Sequence, residues 1–465
     1  MRLLIRNLKV ALLLFLALSL ALLTGLVIQQ NRSRNELFAA AGENKAALKS
    51  RYANAGTIVD RNGVVLAESI DGQRTYSRDK GVARAVLHLV GDYTHNIDNT
   101  IEARYQANLL GSGRNLLHQL ILDLSGHGLA GDNITLAIDS ALSERAYDLL
   151  DGRRGSVVII NYQTGAVLTA VSSPSTSPAS VIAYKDIPDT ALFNRALQGA
   201  YAPGSTFKIL TAAAWLESSN FDSEYSVDCQ GQSTVSADGA DESGDGHGKV
   251  DLTEAFAESC NVYFGELGVK MGNRSLLAIA DDFGLTSPLT LGRLDVRTGI
   301  ISGTDDPTAL SWLSIGQPSG ETTLQMTPLQ MAMMAGAIAN EGQMMQPWLV
   351  DHLTDPAGRD FQNAKPTVLR TVASRQICEQ LETLMISVTE NGTGRPAAVK
   401  GLAIAGKTGT VQVEGKKNNA LYVGYIVDEK SPYAIAVVIE EGGSGREAAA
   451  PIAGKLLKMV SSLQE

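Results

Sequence analysis

Hydrophobic positions change their spacing several times along the chain, and each change marks an expected element. Residues 10–28 carry no charge and are dominated by Leu and Ala, a run close to the shortest that crosses a bilayer as a helix. At Gly56-Thr57-Ile58-Val59 the pattern becomes β-branched, breaks at Asp60-Arg61-Asn62-Gly63 and resumes at Val64-Val65-Leu66. This predicts a hairpin with Asn62 and Gly63 as positive-φ turn residues. Apolar positions over 115–124 recur at helical spacing. Strands are expected at 156–160 and 166–171, joined by Tyr162-Gln163-Thr164-Gly165 into an antiparallel hairpin. Helices are expected over 205–216 and 328–340, strands over 402–405, 421–427 and 433–439, and a closing helix over 447–463. Strands at both ends with helices between predict a mixed α+β fold whose sheet is assembled from both termini of one domain.

The apolar run divides the chain. Arg2, Arg6 and Lys9 precede it and favour a cytoplasmic N-terminus; Arg32 and Arg34 beyond it weaken that asymmetry without reversing it. Ala39-Ala40-Ala41 would suit a cleaved signal peptide, but the run is longer than a usual signal core and the small residues lie well downstream. The expectation is therefore a tail at 1–9, a transmembrane anchor at 10–28, an N-terminal pedestal at 29–151 and a main domain at 152–465. All that follows the anchor is expected outside the membrane. At 465 residues the chain can hold two or three domains with a large core. A formal net charge of −10 argues against a nucleic-acid partner, which needs clustered Lys and Arg.

Two features bear on metal or redox chemistry. Cys229, Cys260 and Cys378 are too few for a disulfide framework; a Cys229–Cys260 bridge and three free thiols both remain open. The acidic, glycine-rich loop over 237–248 starts like a calcium loop at Asp241, with Ser243, Asp245 and Gly246 following, but its twelfth position is Leu252 where a bidentate Glu is required. A solvated loop is expected there, with no metal and no cofactor. Asp60 and Arg61 are read as a turn cap or salt bridge rather than as catalytic groups.

Three short peptides carry the candidate chemistry: Ser205-Thr206-Phe207-Lys208, Ser259-Cys260-Asn261 and Lys407-Thr408-Gly409. Ser205 and Lys208 are three apart and share a helix face. Pro203-Gly204 places Ser205 in the first turn, where backbone N–H groups stabilise developing negative charge. Phe207 and Ile209 are expected to shield Lys208 from water, which disfavours the ammonium and makes the lysine a usable base. Ser-x-Asn also occurs at Ser33-Arg34-Asn35 and Ser218-Ser219-Asn220. Ser33 adjoins the anchor, and Ser218 lies roughly 20 Å along the helix from Ser205 at 1.5 Å per residue. Only Ser259 can fold back over Ser205, to relay a proton while Asn261 holds a substrate amide. Lys407 and Thr408 would anchor a carboxylate, and Gly409 would let an extended peptide approach the strand edge. Backbone N–H groups of Ser205 and Thr410 would form an oxyanion hole. Singly, the three peptides read as a snorkelling lysine, a polar face between Phe256 and Phe264, and a turn; together and in this order they read as one site.

That order is the pattern of serine β-lactamases and penicillin-binding proteins, with Ser-Cys-Asn here in place of Ser-Asp-Asn. The chain resembles the class B penicillin-binding proteins, monofunctional D,D-transpeptidases that cross-link peptidoglycan, and more specifically their short-pedestal members. Gly56-Thr57-Ile58-Val59-Asp60-Arg61-Asn62-Gly63, Asn194-Arg195-Ala196, Ile315-Gly316-Gln317, Thr327-Pro328-Leu329-Gln330, Gly392-Thr393-Gly394 and Ala405-Gly406-Lys407-Thr408-Gly409-Thr410 carry the likeness. It implies a serine β-lactamase/transpeptidase-like domain, an antiparallel sheet flanked by helices, on a small N-terminal domain behind one membrane helix. It also implies that Ser205 is acylated by a donor stem peptide or a β-lactam, with Lys208 as base, Ser259 as relay, and Lys407 and Thr408 as carboxylate anchors. The implied partners are peptidoglycan stem peptides, β-lactam antibiotics and a separate membrane glycan polymerase. Asn418-Asn419-Ala420-Leu421-Tyr422 departs from the His-Ala-Trp/Phe pattern of many relatives. Rival readings are a membrane-anchored D,D-carboxypeptidase or β-lactamase, a β-lactam-sensing receptor, and a scaffold with an idle site.

Overall fold

The structure, a computed structural model, describes residues 6–10, 12–21, 24–25, 49–128, 130–231 and 246–463. Within the expected anchor, residues 12–21 are helical, with Leu12, Leu13, Leu14 and Leu16 exposed. Residues 11, 22, 23 and 26–28 lie outside the described residues, as do Ala39-Ala40-Ala41 and most of the acidic loop. Among the described residues no helix is long and apolar enough to cross a membrane.

The N-terminal region contributes β1 (Ile58–Val59), β2 (Val65–Ile70), β3 (Gln73–Tyr76), α1 (Leu116–Leu124), β4 (Asn133–Leu136) and α2 (Ser140–Leu150). The main domain opens with the hairpin β5 (Gly155–Asn161) and β6 (Val167–Ser173). Helices α3 (Lys208–Leu216), α4 (Leu252–Ala257), α5 (Asn261–Met271) and α6 (Pro328–Ala339) follow. Then come β7 (Val350–Thr354), β8 (Asp360–Asn363), α7 (Arg375–Glu390), β9 (Ile404–Val411), β10 (Asn419–Ile426), β11 (Tyr433–Ile439) and α8 (Ala450–Val460).

The main sheet has five strands in the order β9-β10-β11-β5-β6, every pair antiparallel. Its strands do come from both ends of the domain. Alternation along each strand sends Val157, Ile159, Tyr422, Ile435 and Val437 to one face, against α2 and α8. Val158, Ile160, Val423, Ala434 and Ala436 go to the other. There α6 lies against the sheet, and its residues 328–338 are all buried. Gly336 permits this: a Cβ there would stand 3.0 Å from Tyr162 Cβ and 3.2 Å from Ile160 Cδ1. Thr327 and Gln330 close a capping box at its N-terminus.

A second, six-stranded sheet runs β8-β7-β4-β1-β2-β3. Its first strands are the expected hairpin, although only Gly63, at φ 79°, takes a positive angle. Asn62 instead donates its N–H to the buried Asp60 carboxylate at 2.8 Å, which also accepts from Val64 N–H at 2.8 Å and from the Ser140 hydroxyl at 2.7 Å. Asp60 is thus a turn cap tied to the start of α2. Two strands of this sheet, β7 and β8, come from the middle of the main domain, a long-range pairing that local pattern does not announce. Behind β1 to β3 the Arg74 guanidinium meets the Glu102 carboxylate at 2.7 Å with both side chains fully buried, and Arg74 also donates to Gly56 C=O at 2.7 Å. Removing one partner of such a pair strands the other charge in a dry site. Arg74→Met is therefore expected to cost about 3 kcal/mol, measured as a lower urea midpoint for the N-terminal sheet.

Candidate active site

Ser205 does not sit in a regular α-helix. Residues Gly204–Phe207 form a 3-10 turn that runs into α3 at Lys208. With three residues per turn, Ser205 and Lys208 eclipse on one face. Gly204 takes φ 52° and donates its N–H to Gly316 C=O at 3.0 Å. A Cβ on Gly204 would lie 2.8 Å from Thr410 O and from Val411 Cγ2, so the turn is wedged between the Ile315-Gly316-Gln317 segment and β9.

Ser259 and its neighbours link α4 to α5. Ser259 is left-handed at φ 62°, a conformation that costs a non-glycine residue about 1 kcal/mol and collects at functional sites. Cys260 caps α5, its Sγ accepting from Tyr263 N–H at 3.3 Å, and Asn261 is the first helical residue. This bend turns the Ser259 carbonyl and the Asn261 side chain toward Lys208. Lys208 Nζ donates to Ser259 C=O at 2.5 Å and to Asn261 Oδ1 at 2.7 Å, with Ser259 Oγ at 3.3 Å. Lys208 is fully buried. The ring beside it is Phe264, 5.5 Å from Nζ, and Phe207 and Ile209 are fully buried in the same core cluster, so α5 adds to the apolar surroundings of the lysine. Because Asn261 accepts from Lys208 through Oδ1, its amide N–H groups are directed elsewhere.

The third peptide lies on β9, at the edge of the main sheet, where Lys407, Thr408, Gly409 and Thr410 pair with Val423, Tyr422, Leu421 and Ala420. Lys407 is also fully buried, its Nζ 5.5 Å from the Phe256 ring. Phe256 and Phe264 pack edge to face at 5.9 Å, so the two lysines stand over a stacked aromatic pair. Gly409 also has a packing role. A Cβ there would meet Thr206 Cγ2 at 3.0 Å and Pro203 O at 3.1 Å, so its bareness admits the Ser205 turn. Burial holds the nearby Tyr422 hydroxyl well above the usual phenol range, keeping it a neutral packing group beneath Gly406.

A cavity of about 310 Å³ opens where the three segments meet. Ser205, Ser259, Asn261, Thr408 and Thr410 line it; Lys208, Lys407 and Gly409 do not, and lie behind those residues. The Thr408 hydroxyl is 2.7 Å from that of Thr393, and Gln317 Nε2 donates to Thr410 C=O at 3.4 Å. Among the other lining residues are Trp312, Ser444, Arg446 and Glu258. Local pattern missed these four; the one available signal was the Gly442-Gly443-Ser444-Gly445 run before α8, whose Gly445 passes so close to β9 that a Cβ would stand 2.3 Å from Gly409 O.

All three cysteines are buried, and no disulfide joins them. Burial pushes the Cys378 thiol on α7 up to about 12, so it stays protonated at neutral pH. Cys229 and Cys260 come together with His247, each offering a donor atom within 4.8 Å of the others. Two thiols and an imidazole are ligand types that suit a soft divalent ion.

Known proteins resemble the chain in sequence and in fold. Residues 155–458 match the family model of the penicillin binding protein transpeptidase domain. The peptidoglycan D,D-transpeptidase PbpA of Mycolicibacterium smegmatis is 31% identical over 489 residues, covering 96% of this chain and 96% of that protein. Penicillin-binding protein A of Mycobacterium tuberculosis, solved as a ceftriaxone acyl-enzyme complex, superposes with a TM-score of 0.80 at 28% identity over 89% of this chain and 100% of that one. A D,D-transpeptidase domain from Eggerthella lenta gives 0.79 at 31% identity, covering 89% of this chain and 100% of that one.

The contact at Gly409 is a direct test of how the site is assembled. Gly409→Ala is expected to push the Ser205 turn off β9 and to destabilise the domain by about 2 kcal/mol, the scale of overpacking, read as a lower melting temperature in calorimetry.

Proposed function

The chain belongs to the penicillin-binding protein transpeptidase family, in its class B branch, and from that premise we propose how its own residues cross-link peptidoglycan stem peptides. It is a serine-type D,D-transpeptidase that forms an acyl-enzyme and is acylated by β-lactams. The observation that carries the residue assignment is the buried Lys208 ammonium or amine, gripped by Ser259 and Asn261 one turn from Ser205.

Ser205 Oγ attacks the carbonyl of the penultimate D-alanine of a donor stem peptide while its proton passes to Lys208. The amide C–N bond then breaks, and Ser259, hydrogen-bonded to Lys208, delivers a proton to the departing terminal D-alanine. An amine from a neighbouring stem peptide attacks the resulting ester, restores Ser205 and forms the cross-link. Backbone N–H groups of Ser205 and Thr410 face the developing oxyanion. Asn261 orients the substrate amide with its N–H groups. Thr408 and Thr410 touch the substrate carboxylate from the cavity wall, and Lys407 supplies positive charge from beneath them, where its burial strengthens the field. No cofactor enters any step.

The uncharged run at 10–28 supports a single-pass anchor with the catalytic domain outside the cytoplasm, on a pedestal within 29–151. Glycan strands would then come from a separate membrane polymerase. Purified full-length chain given a donor thioester and a D-amino acid is expected to yield the exchanged product; hydrolysis alone would identify a carboxypeptidase or β-lactamase instead. Ser205→Ala should abolish labelling by fluorescent penicillin while the circular dichroism spectrum is unchanged, and labelling that persists would reject this nucleophile.

A further inference from the structure

Helix α1 is amphipathic in the wrong sense for a globular domain. Leu116, Leu117, Leu120, Ile121 and Leu124 lie on one face and are exposed, Leu117 by 68% and Leu124 by 81%. Its inward side holds one buried apolar residue, Leu122, and polar anchors: His118 Nε2 lies 3.1 Å from Asp355 Oδ2, and Gln119 Nε2 donates to Gly128 C=O at 2.8 Å. Exposed Phe361 on β8 extends the patch, its ring edge-on to His118 at 6.1 Å. A contiguous apolar surface of this kind marks a docking face.

The position of the helix identifies the occupant. The excursion that carries α1 leaves and returns beside the point where the chain enters the described domain: Gly56 N–H donates to Leu109 C=O and Gly131 N–H to Asn54 C=O, both at 2.9 Å. The uncharged run at 10–28 lies a short segment upstream of that point. The apolar face therefore belongs to an excursion that begins and ends where the chain enters the described domain from the side of residues 10–28. It carries no Lys or Arg, so attraction to anionic headgroups is not what would hold it; burial of leucine side chains at the acyl-chain boundary would.

We propose that α1 is a second membrane contact, lying in the lipid interface beside the anchor and tilting the catalytic domain relative to the bilayer. This rests on the single-pass reading of residues 10–28. The test uses the full chain in lipid nanodiscs with Leu120→Trp, and with Ile121→Trp as a second reporter; single exposed substitutions of this kind are well tolerated. Against native chain, whose tryptophans are Trp215, Trp312 and Trp348, the added residue should emit at shorter wavelength and lose its emission when lipids are brominated near the headgroup. Its emission should not change with salt. Water-like, unquenched emission from both variants would overturn the proposal. Blue-shifted emission that brominated lipid does not quench would assign the face to a protein, a second copy or a partner, and would also overturn it. A chain that fails to enter nanodiscs would sink the anchor reading, and this proposal with it, whereas loss of quenching alone would sink only the proposal.

Discussion

A lysine buried at the centre of a domain has to be supplied with acceptors, and the site is arranged around meeting that demand for Lys208. An unpaired ammonium in a dry interior is among the costliest defects a fold can carry. The Ser259 carbonyl and the Asn261 side chain meet it, and they reach Lys208 only because Ser259 accepts a left-handed backbone between two helices. Strain at one residue is thus exchanged for solvation of a buried charge. The same bend brings a second hydroxyl beside the Ser205 turn, so the groups that hold the lysine are those its chemistry needs.

The sheet edge imposes the other constraint. β9 must pass close enough to the Ser205 turn for both to face one cavity, and glycines set that distance: Gly204 and Gly409 against each other's segments, and Gly445 against the strand from outside. Lys407 and Lys208 rest on the Phe256–Phe264 pair, an arrangement that places two cationic side chains in one apolar layer without exposing either. The wall nearest Ser205 is then rich in hydroxyls and amides, with Lys208 and Lys407 one layer back and Glu258 and Arg446 also lining the cavity.

Elements with strong local period were legible in the chain. The hairpin at β5 and β6, the strands β10 and β11, and the helix opened by Thr327-Pro328 all follow from patterning and capping chemistry that act within a few residues. Where the residues bear charge or lack a side chain, reading went less far. The pattern gives no hint that Gly409 is packed against Thr206 and Pro203. Nor does it show that Phe264, far along the chain, stands beside Lys208. The lining residues Trp312, Ser444 and Arg446 carry no motif and join the cavity only through the path of their loops. The pairing of β7 with β4 belongs to the same class, since a short half-exposed strand has no preference for one distant partner over another.

The order and spacing of Ser205-x-x-Lys208, Ser259-x-Asn261 and Lys407-Thr408-Gly409 were legible in the sequence, because a motif is a local string of residue types that can be read before its folded position is known. So was the single sheet built from both ends of the main domain, since alternation and helical period are local. Which groups face substrate and which lie buried behind them was decided only by the tertiary structure, because burial is a property of neighbours far away in the chain. The same holds for α1: its spacing announced a helix, and only packing revealed that its leucines point outward.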